Sequence, residues 1–260
     1  MSAVKKVCVI GAGVMGAGIA AQVANAGVPV LLLDILPREG SDRNAVAKGA
    51  VEKMLKSEPA SFMSAKAAKL VECGNIEDDL ARVAECDWVV EAIVEKLEIK
   101  QGLYAKLEAL RSPHAAISSN TSTIPLNRLV EGRSEEFKRH FLITHFFNPP
   151  RYMRLLELAL GEETDAALAA KIADFADRTL GKSVVRTRDT PGFIANRIGT
   201  YWMTVAVNAA SDLGLTVEEA DQVGGRPMGV PNTGIFGLID LVGLDLLAGS
   251  IAVWTVNADG

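Results

Sequence analysis

The stretch from Val4 to Asp34, VKKVCVIGAGVMGAGIAAQVANAGVPVLLLD, constrains the fold more than any other part of the chain. It parses as strand, glycine turn, helix and strand. Val7, Val9 and Ile10 belong to a short apolar run of the kind a strand buried on both faces requires. Gly11, Gly13 and Gly16 follow it in the spacing G-x-G-x-x-G. The first glycine permits a tight turn, the second lets backbone approach a pyrophosphate, and the third lets the next helix pack closely. That helix, expected over about Val14 to Ala26, aims the N–H groups of Val14 and Met15 and its dipole at the phosphates. VPVLLLD is the next strand. Asp34 closes it, where a carboxylate accepts hydrogen bonds from an adenosine ribose. Set between two strands, the glycines point to a dinucleotide.

A secretory signal is the competing reading of the same stretch, because Lys5, Lys6, an apolar run and Ala24-Asn25-Ala26 imitate one. Glycines at 11, 13, 16 and 18 break up such a core, and the apolar pattern resumes beyond the supposed cut. Elsewhere the net charge of −5 and the lack of a basic run point away from nucleic acid and anionic membrane surfaces. The most apolar late stretch, Gly237 to Val256, carries Asp240 and Asp245, so no membrane span is expected. Cys8, Cys73 and Cys86 lack metal-ligand spacing, so no metal is expected. Cys8 reads as a small buried hydrophobe, and the set fits a reducing cytoplasm.

After Asp34 the chain is rich in Ala, Lys and Glu. Ser41 or Asp42 can cap a helix to about Lys56, and another follows from about Ser64. This helical insertion, at about 41–71, is long for a βαβ crossover. Its lysines (Lys48, Lys53, Lys56, Lys66, Lys69) form a solvated face or meet a polyanionic substrate tail. Further strands are expected at Asp87–Ile93, Ala115–Ser119, Phe141–Phe147, Met153–Leu160 and Ser183–Arg186, with helices over Leu97–Leu110 and Asp165–Leu180. From Asp189 the pattern turns helical: Phe193 to Leu213, a capping box at Thr216-Val217-Glu218-Glu219, a loop, then apolar helix. The fold class is therefore α/β, a doubly wound Rossmann-type sheet over 1–188 followed by a smaller all-helical domain over 189–260.

Of three histidines, His114 and His140 lie in polar, loop-like surroundings and are expected to be exposed. His145 ends an apolar strand. A lone histidine beside apolar residues is usually a satisfied core side chain. However, Glu157 lies inside MRLLELAL, where a charge is costly unless paired. A histidine paired with a buried carboxylate is a general acid/base arrangement, and beside a nicotinamide the reaction is alcohol oxidation. Ser122 and Asn196 can hydrogen-bond the reacting oxygen, although a serine after a strand often bonds only local backbone.

Together VIGAGVMGAGIA, VVEAIVE, SNTST, HFFNPP, LLEL and DTPGFIANR resemble the 3-hydroxyacyl-CoA dehydrogenase family of fatty-acid β-oxidation. The resemblance implies oxidation of L-3-hydroxyacyl-CoA with NAD, His145 as catalytic base and Glu157 as its partner. Ser122 and Asn196 become substrate-orienting groups. It further implies that Asp34, Glu95, Lys100 and Asn148 lie around the NAD, and that the helical insertion meets the coenzyme A tail. GRPMGVPNTGIFGLIDLVGLD resembles the second domain of the longer, multifunctional members. That domain is short here and is expected to be incomplete. Family dimers pair largely through it, so a homodimer is a further expectation. Two other readings stand beside this one: a dehydrogenase of a small free hydroxy acid, and a non-catalytic dinucleotide-binding or structural relative.

Overall fold

The computed structural model describes residues 4–230 and 233–243. The chain divides into two compact units, Met1–Asp189 and Thr190–Gly260. The first is built on one sheet of eight strands: β1 Val7–Ile10, β2 Val30–Asp34, β3 Val71–Asn75, β4 Trp88–Glu91, β5 Ala116–Ser119, β6 Phe141–Phe146, β7 Leu155–Leu160 and β8 Ser183–Thr187. Their order across the sheet is β3-β2-β1-β4-β5-β6-β7-β8. All neighbours are parallel except β6 and β7. Strand order reverses between β1 and β4, and ligands of doubly wound sheets bind at such a switch point, beyond the carboxyl ends of the strands.

Helices cover both faces. α1 (Val14–Asn25) follows the glycine turn, and α2 (Ala45–Leu55) and α3 (Ala65–Ala68) make up the insertion. α4 is Ile76–Asp79, α5 Leu97–Leu110, α6 Leu126–Leu129, α7 Glu135–Arg139 and α8 Ala166–Arg178. The alternation of strand side chains sorts the core. Val7, Val9, Leu32, Trp88 and Val90 share one cluster with Ile19 and Val23 of α1 and Ile172 and Phe175 of α8. Trp88 meets Phe175 edge-on at 5.9 Å. In a second aromatic group, Tyr104 of α5 lies 5.0 Å from Phe141 and 6.2 Å from Phe137. Full burial of an aliphatic or phenylalanine side chain of this kind contributes about 1.5–3 kcal/mol.

Three expectations need correction. No strand is expected from the sequence over 71–75, yet β3 pairs with all of β2, Val30↔Val71 through Asp34↔Asn75. The insertion is also capped differently. Asn44 is the N-cap of α2 and makes no side-chain cap bond, while Asp42 accepts from the Asn44 N–H at 3.0 Å. Asn44 instead serves the interior, accepting from the Asn75 amide at 2.7 Å, and so ties α2 to the end of β3. His140 is half-buried, with Nδ1 against the Glu136 carbonyl at 2.9 Å. Cys8 is buried as expected, and all three cysteines are free.

The second unit holds α9 Ala195–Asp212, α10 Val217–Val223 and α11 Phe236–Val242. The capping box forms: Thr216 accepts from the Glu219 N–H, and the Glu219 carboxylate accepts from the Thr216 N–H at 2.9 Å. The remainder of the expected apolar helix, from residue 244 through Val256 and the last residues, lies outside the described residues.

Candidate active site

The glycine turn has the geometry the spacing demands. Gly11 has φ +104°, and a Cβ there would come 2.4 Å from the Ala92 carbonyl oxygen at the end of β4. A Cβ on Gly16 would lie 1.7 Å from the Gly11 carbonyl oxygen. Gly13 differs: it is exposed, has nothing within 4 Å of a Cβ position, and caps α1 without a side-chain bond. Beside it Val14 is exposed and Met15 half-buried. A helix N-terminus open at a glycine accepts a pyrophosphate.

A cavity of about 620 Å³ opens next to this turn, lined among others by Gly11, Gly13, Asp34, Ile35, Ile93 and Ile99. Mostly apolar walls with a few charged groups, Asp34 at the end of β2 and Glu98 and Lys106 on α5, suit an adenosine. Asp34 itself is half-buried. One of its oxygens accepts from the Ala12 N–H and the other from the Ile35 N–H at 2.6 Å, so it also ties the glycine turn to β2. The residues present therefore fit a dinucleotide. The isoleucines of the wall are not singled out by sequence reasoning. Their signal is the exposure of Ile35 (64%) and Ile99 (48%), costly for side chains with no ligand to cover them.

Beyond β4 lies a buried polar chain. Glu91 is fully buried and accepts from Lys100 Nζ at 2.6 Å, Ser119 Oγ at 2.7 Å, the Tyr104 hydroxyl and the Ile93 N–H. Burial, followed by the Glu91 charge, pushes the Tyr104 hydroxyl well up, so it remains a donor. Lys100 bridges from Glu91 to Glu95, 3.1 Å away. Glu95 in turn accepts from the hydroxyls of Thr121 and Thr123, which flank Ser122. Burial raises the Glu95 carboxyl, but the Lys100 charge and these hydrogen bonds outweigh it and hold the group below its ordinary value. Lys100, placed around the cofactor by resemblance, is 1% exposed and committed to two carboxylates.

Ser122 is half-buried in this loop. The local turn is made by Thr121, whose Oγ1 accepts from the Ile124 N–H at 3.1 Å, so that role does not fall on Ser122. Asn120 reaches across the strand ends and accepts from the Phe146 N–H at 2.9 Å.

His145 and Glu157 stand directly opposite each other on the antiparallel pair β6–β7. His145 Nδ1 lies 2.8 Å from Glu157 Oε2, with the residues 6% and 1% exposed. The Phe147 ring meets the imidazole edge-on at 4.5 Å. Two strands thus place acid and base in register, and the carboxylate selects the tautomer with the proton on Nδ1. Asn148 is exposed at the start of the loop joining β6 to β7. Asn196, half-buried in the first turn of α9, belongs to the second unit.

The family model described as 3-hydroxyacyl-CoA dehydrogenase, NAD binding domain, matches residues 6–190, and the corresponding C-terminal domain matches 192–258. A probable 3-hydroxyacyl-CoA dehydrogenase of Deinococcus radiodurans is 50% identical over 245 residues, covering 94% of this chain and 71% of the relative. One of Bacillus subtilis with the same description is 43% identical, and the chain spans 33% of its length. Among solved structures, (S)-3-hydroxybutyryl-CoA dehydrogenase PaaH1 from Ralstonia eutropha superposes with a TM-score of 0.82 at 26% identity, covering 99% of this chain and 89% of that one. FadB2 of M. tuberculosis does so with 0.80 at 32%, covering 95% and 85%.

Proposed function

The chain belongs to the 3-hydroxyacyl-CoA dehydrogenase family, and on that premise we propose that it oxidises L-3-hydroxyacyl-CoA to 3-oxoacyl-CoA with NAD. The observation that carries the reading is the His145–Glu157 pair, buried and in register at the end of β6. Nδ1 is engaged by Glu157, so the substrate hydroxyl proton goes to the other ring nitrogen, Nε2. Glu157 stabilises the imidazolium that forms. The nicotinamide of bound NAD supplies the hydride acceptor. Ser122 and Asn196 orient the reacting oxygen, and Asp34 holds the adenosine ribose. The turn of Gly11, Gly13 and Gly16 and the helix start at Val14 and Met15 receive the pyrophosphate, Gly11 and Gly16 by letting the backbone close up and Gly13 by leaving the approach open. Glu95 and Asn148 line the nicotinamide side of the site. Lys100 acts there through Glu95. The exposed lysines of the insertion, Lys53, Lys56, Lys66 and Lys69, suit the phosphates of a coenzyme A tail.

Replacement of His145 by Gln tests this. Turnover falls about 10²–10⁴-fold, the weight of a general base, while NADH affinity stays near wild type. An unchanged rate refutes the mechanism.

We also propose a homodimer through the helical unit. Ile198, Tyr201 and Val205 are 64%, 74% and 48% exposed at helical spacing on α9. A monomeric solution mass at micromolar concentration refutes it. The free cysteines suit a reducing compartment, and we place the protein in the cytoplasm. Among the described residues no helix is long and apolar enough to cross a membrane.

A further inference from the structure

Lys182 lies between Gly181, which has φ +68°, and the first residue of β8. It is 2% exposed, a rare state for a lysine that has no acidic partner. Among the described residues no carboxylate pairs with it. Its Nζ donates instead to two backbone carbonyls, those of Pro150 and, at 2.8 Å, Met153. It also stands 5.8 Å from the centroid of the Phe146 ring. Burial pushes its ammonium down to about 8.

What these bonds hold is the loop 147–154, which joins the strand of His145 to the strand of Glu157 and begins with Phe147-Asn148. The same loop is braced on two other sides. The Pro150 ring rests on α1 at Gly18, where a Cβ would come within 2.8 Å of it. Arg151 donates to the carbonyls of Ala60 and Phe62 in the insertion, at 2.6 and 3.1 Å. A methionine fills a buried lysine site without the cost of desolvating a charge, so packing alone does not account for an ammonium here. Carbonyl oxygens that must be held in place do account for it.

We propose that Lys182 is a positioning residue for the nicotinamide end of the cofactor site, fixing through the Pro150 and Met153 carbonyls the loop that carries Asn148. The inference rests on the family reading that Asn148 borders the NAD. It separates the two ends of the cofactor: the adenosine cavity, lined by the glycine turn, the segments that follow β2 and β4, and α5, does not involve this loop.

Calorimetric titration of the whole chain with NADH and with ADP-ribose, which lacks the nicotinamide, tests it. In Lys182→Met, NADH binding weakens about tenfold, the loss of charge-assisted hydrogen bonds, while ADP-ribose affinity stays within about twofold. Lys182→Gln, which keeps an N–H donor without the charge, is read the same way where the methionine variant does not fold. Gly18→Ala displaces the Pro150 ring from α1 and is expected to show the same split. Equal weakening of both ligands, or of neither, overturns the proposal. Wild-type protein that binds NADH but oxidises no hydroxyacyl-CoA refutes the proposed reaction and leaves the binding test of Lys182 standing.

Discussion

Replacing Lys100 by Met distinguishes an internal ion pair from a cofactor contact. Lys100 and Glu91 are 1% and 0% exposed and lie 2.6 Å apart. Without the ammonium, Glu91 keeps the hydroxyls of Tyr104 and Ser119 and the Ile93 N–H, but no cation. Removing one partner of a buried pair costs about 3–5 kcal/mol, because the other charge stays desolvated. The second contact, to Glu95, adds at most about 1 kcal/mol, since that carboxylate is 39% exposed. Urea unfolding, followed by the fluorescence of the buried Trp88 among the tryptophans, should therefore lose roughly 3–5 kcal/mol. The double variant Glu91→Gln/Lys100→Met removes both charges and should recover on the order of 2 kcal/mol of that loss. A stability change below about 1 kcal/mol in Lys100→Met, together with NADH binding weakened more than about tenfold, would refute the ion-pair account and make Lys100 a direct cofactor ligand.

Other outcomes follow from charge. A 2′-phosphate would stand against the Asp34 carboxylate, so NAD should be preferred over NADP by on the order of a hundredfold. Asp34→Ser should erode that preference, and equal affinities in the wild type would contradict the role given to Asp34. At acid pH, hydrogen bonds from Arg43 and then from the Asn75 amide hold the Asp78 carboxyl at about 2, against an ordinary 3.8. A depressed carboxyl contributes stability above its unfolded value and loses it as pH falls through the folded one. The Arg43→Met variant should thus show a flatter fall of stability from about pH 4 towards pH 2, measured by urea midpoints across that range. An unaltered slope would show that the exposed Arg43–Asp78 fork contributes nothing.

Much of the cofactor half is legible in the sequence because its signals are local. A buried apolar run, three glycines and an acid within one βαβ unit need no distant partner to be read. His145 and Glu157 are legible for another reason: each is a polar residue in an apolar strand, and burial demands that such residues be paired. The same logic applied to VVEAI flags Glu91, yet its partners, Lys100, Tyr104 and Ser119, sit on a helix and another strand, and no spacing rule links them. The strand Val71–Asn75 escapes because VECGN mixes a charge, a cysteine and a glycine, and is stabilised by pairing with β2 rather than by its own pattern. Lys182 is equally silent. One lysine after a glycine reads as surface until the loop it holds is folded over it.

On the proposed reaction, the oxidised alcohol belongs to a coenzyme A thioester. The most direct measurement compares kcat/KM for L-3-hydroxybutyryl-CoA and free 3-hydroxybutyrate, with NAD at saturation and NADH formation as the readout. The thioester should be favoured by at least about a hundredfold, since binding energy from the remote tail is expressed in the transition state. Equal efficiency on the two substrates, or no NADH from the thioester, would contradict the account.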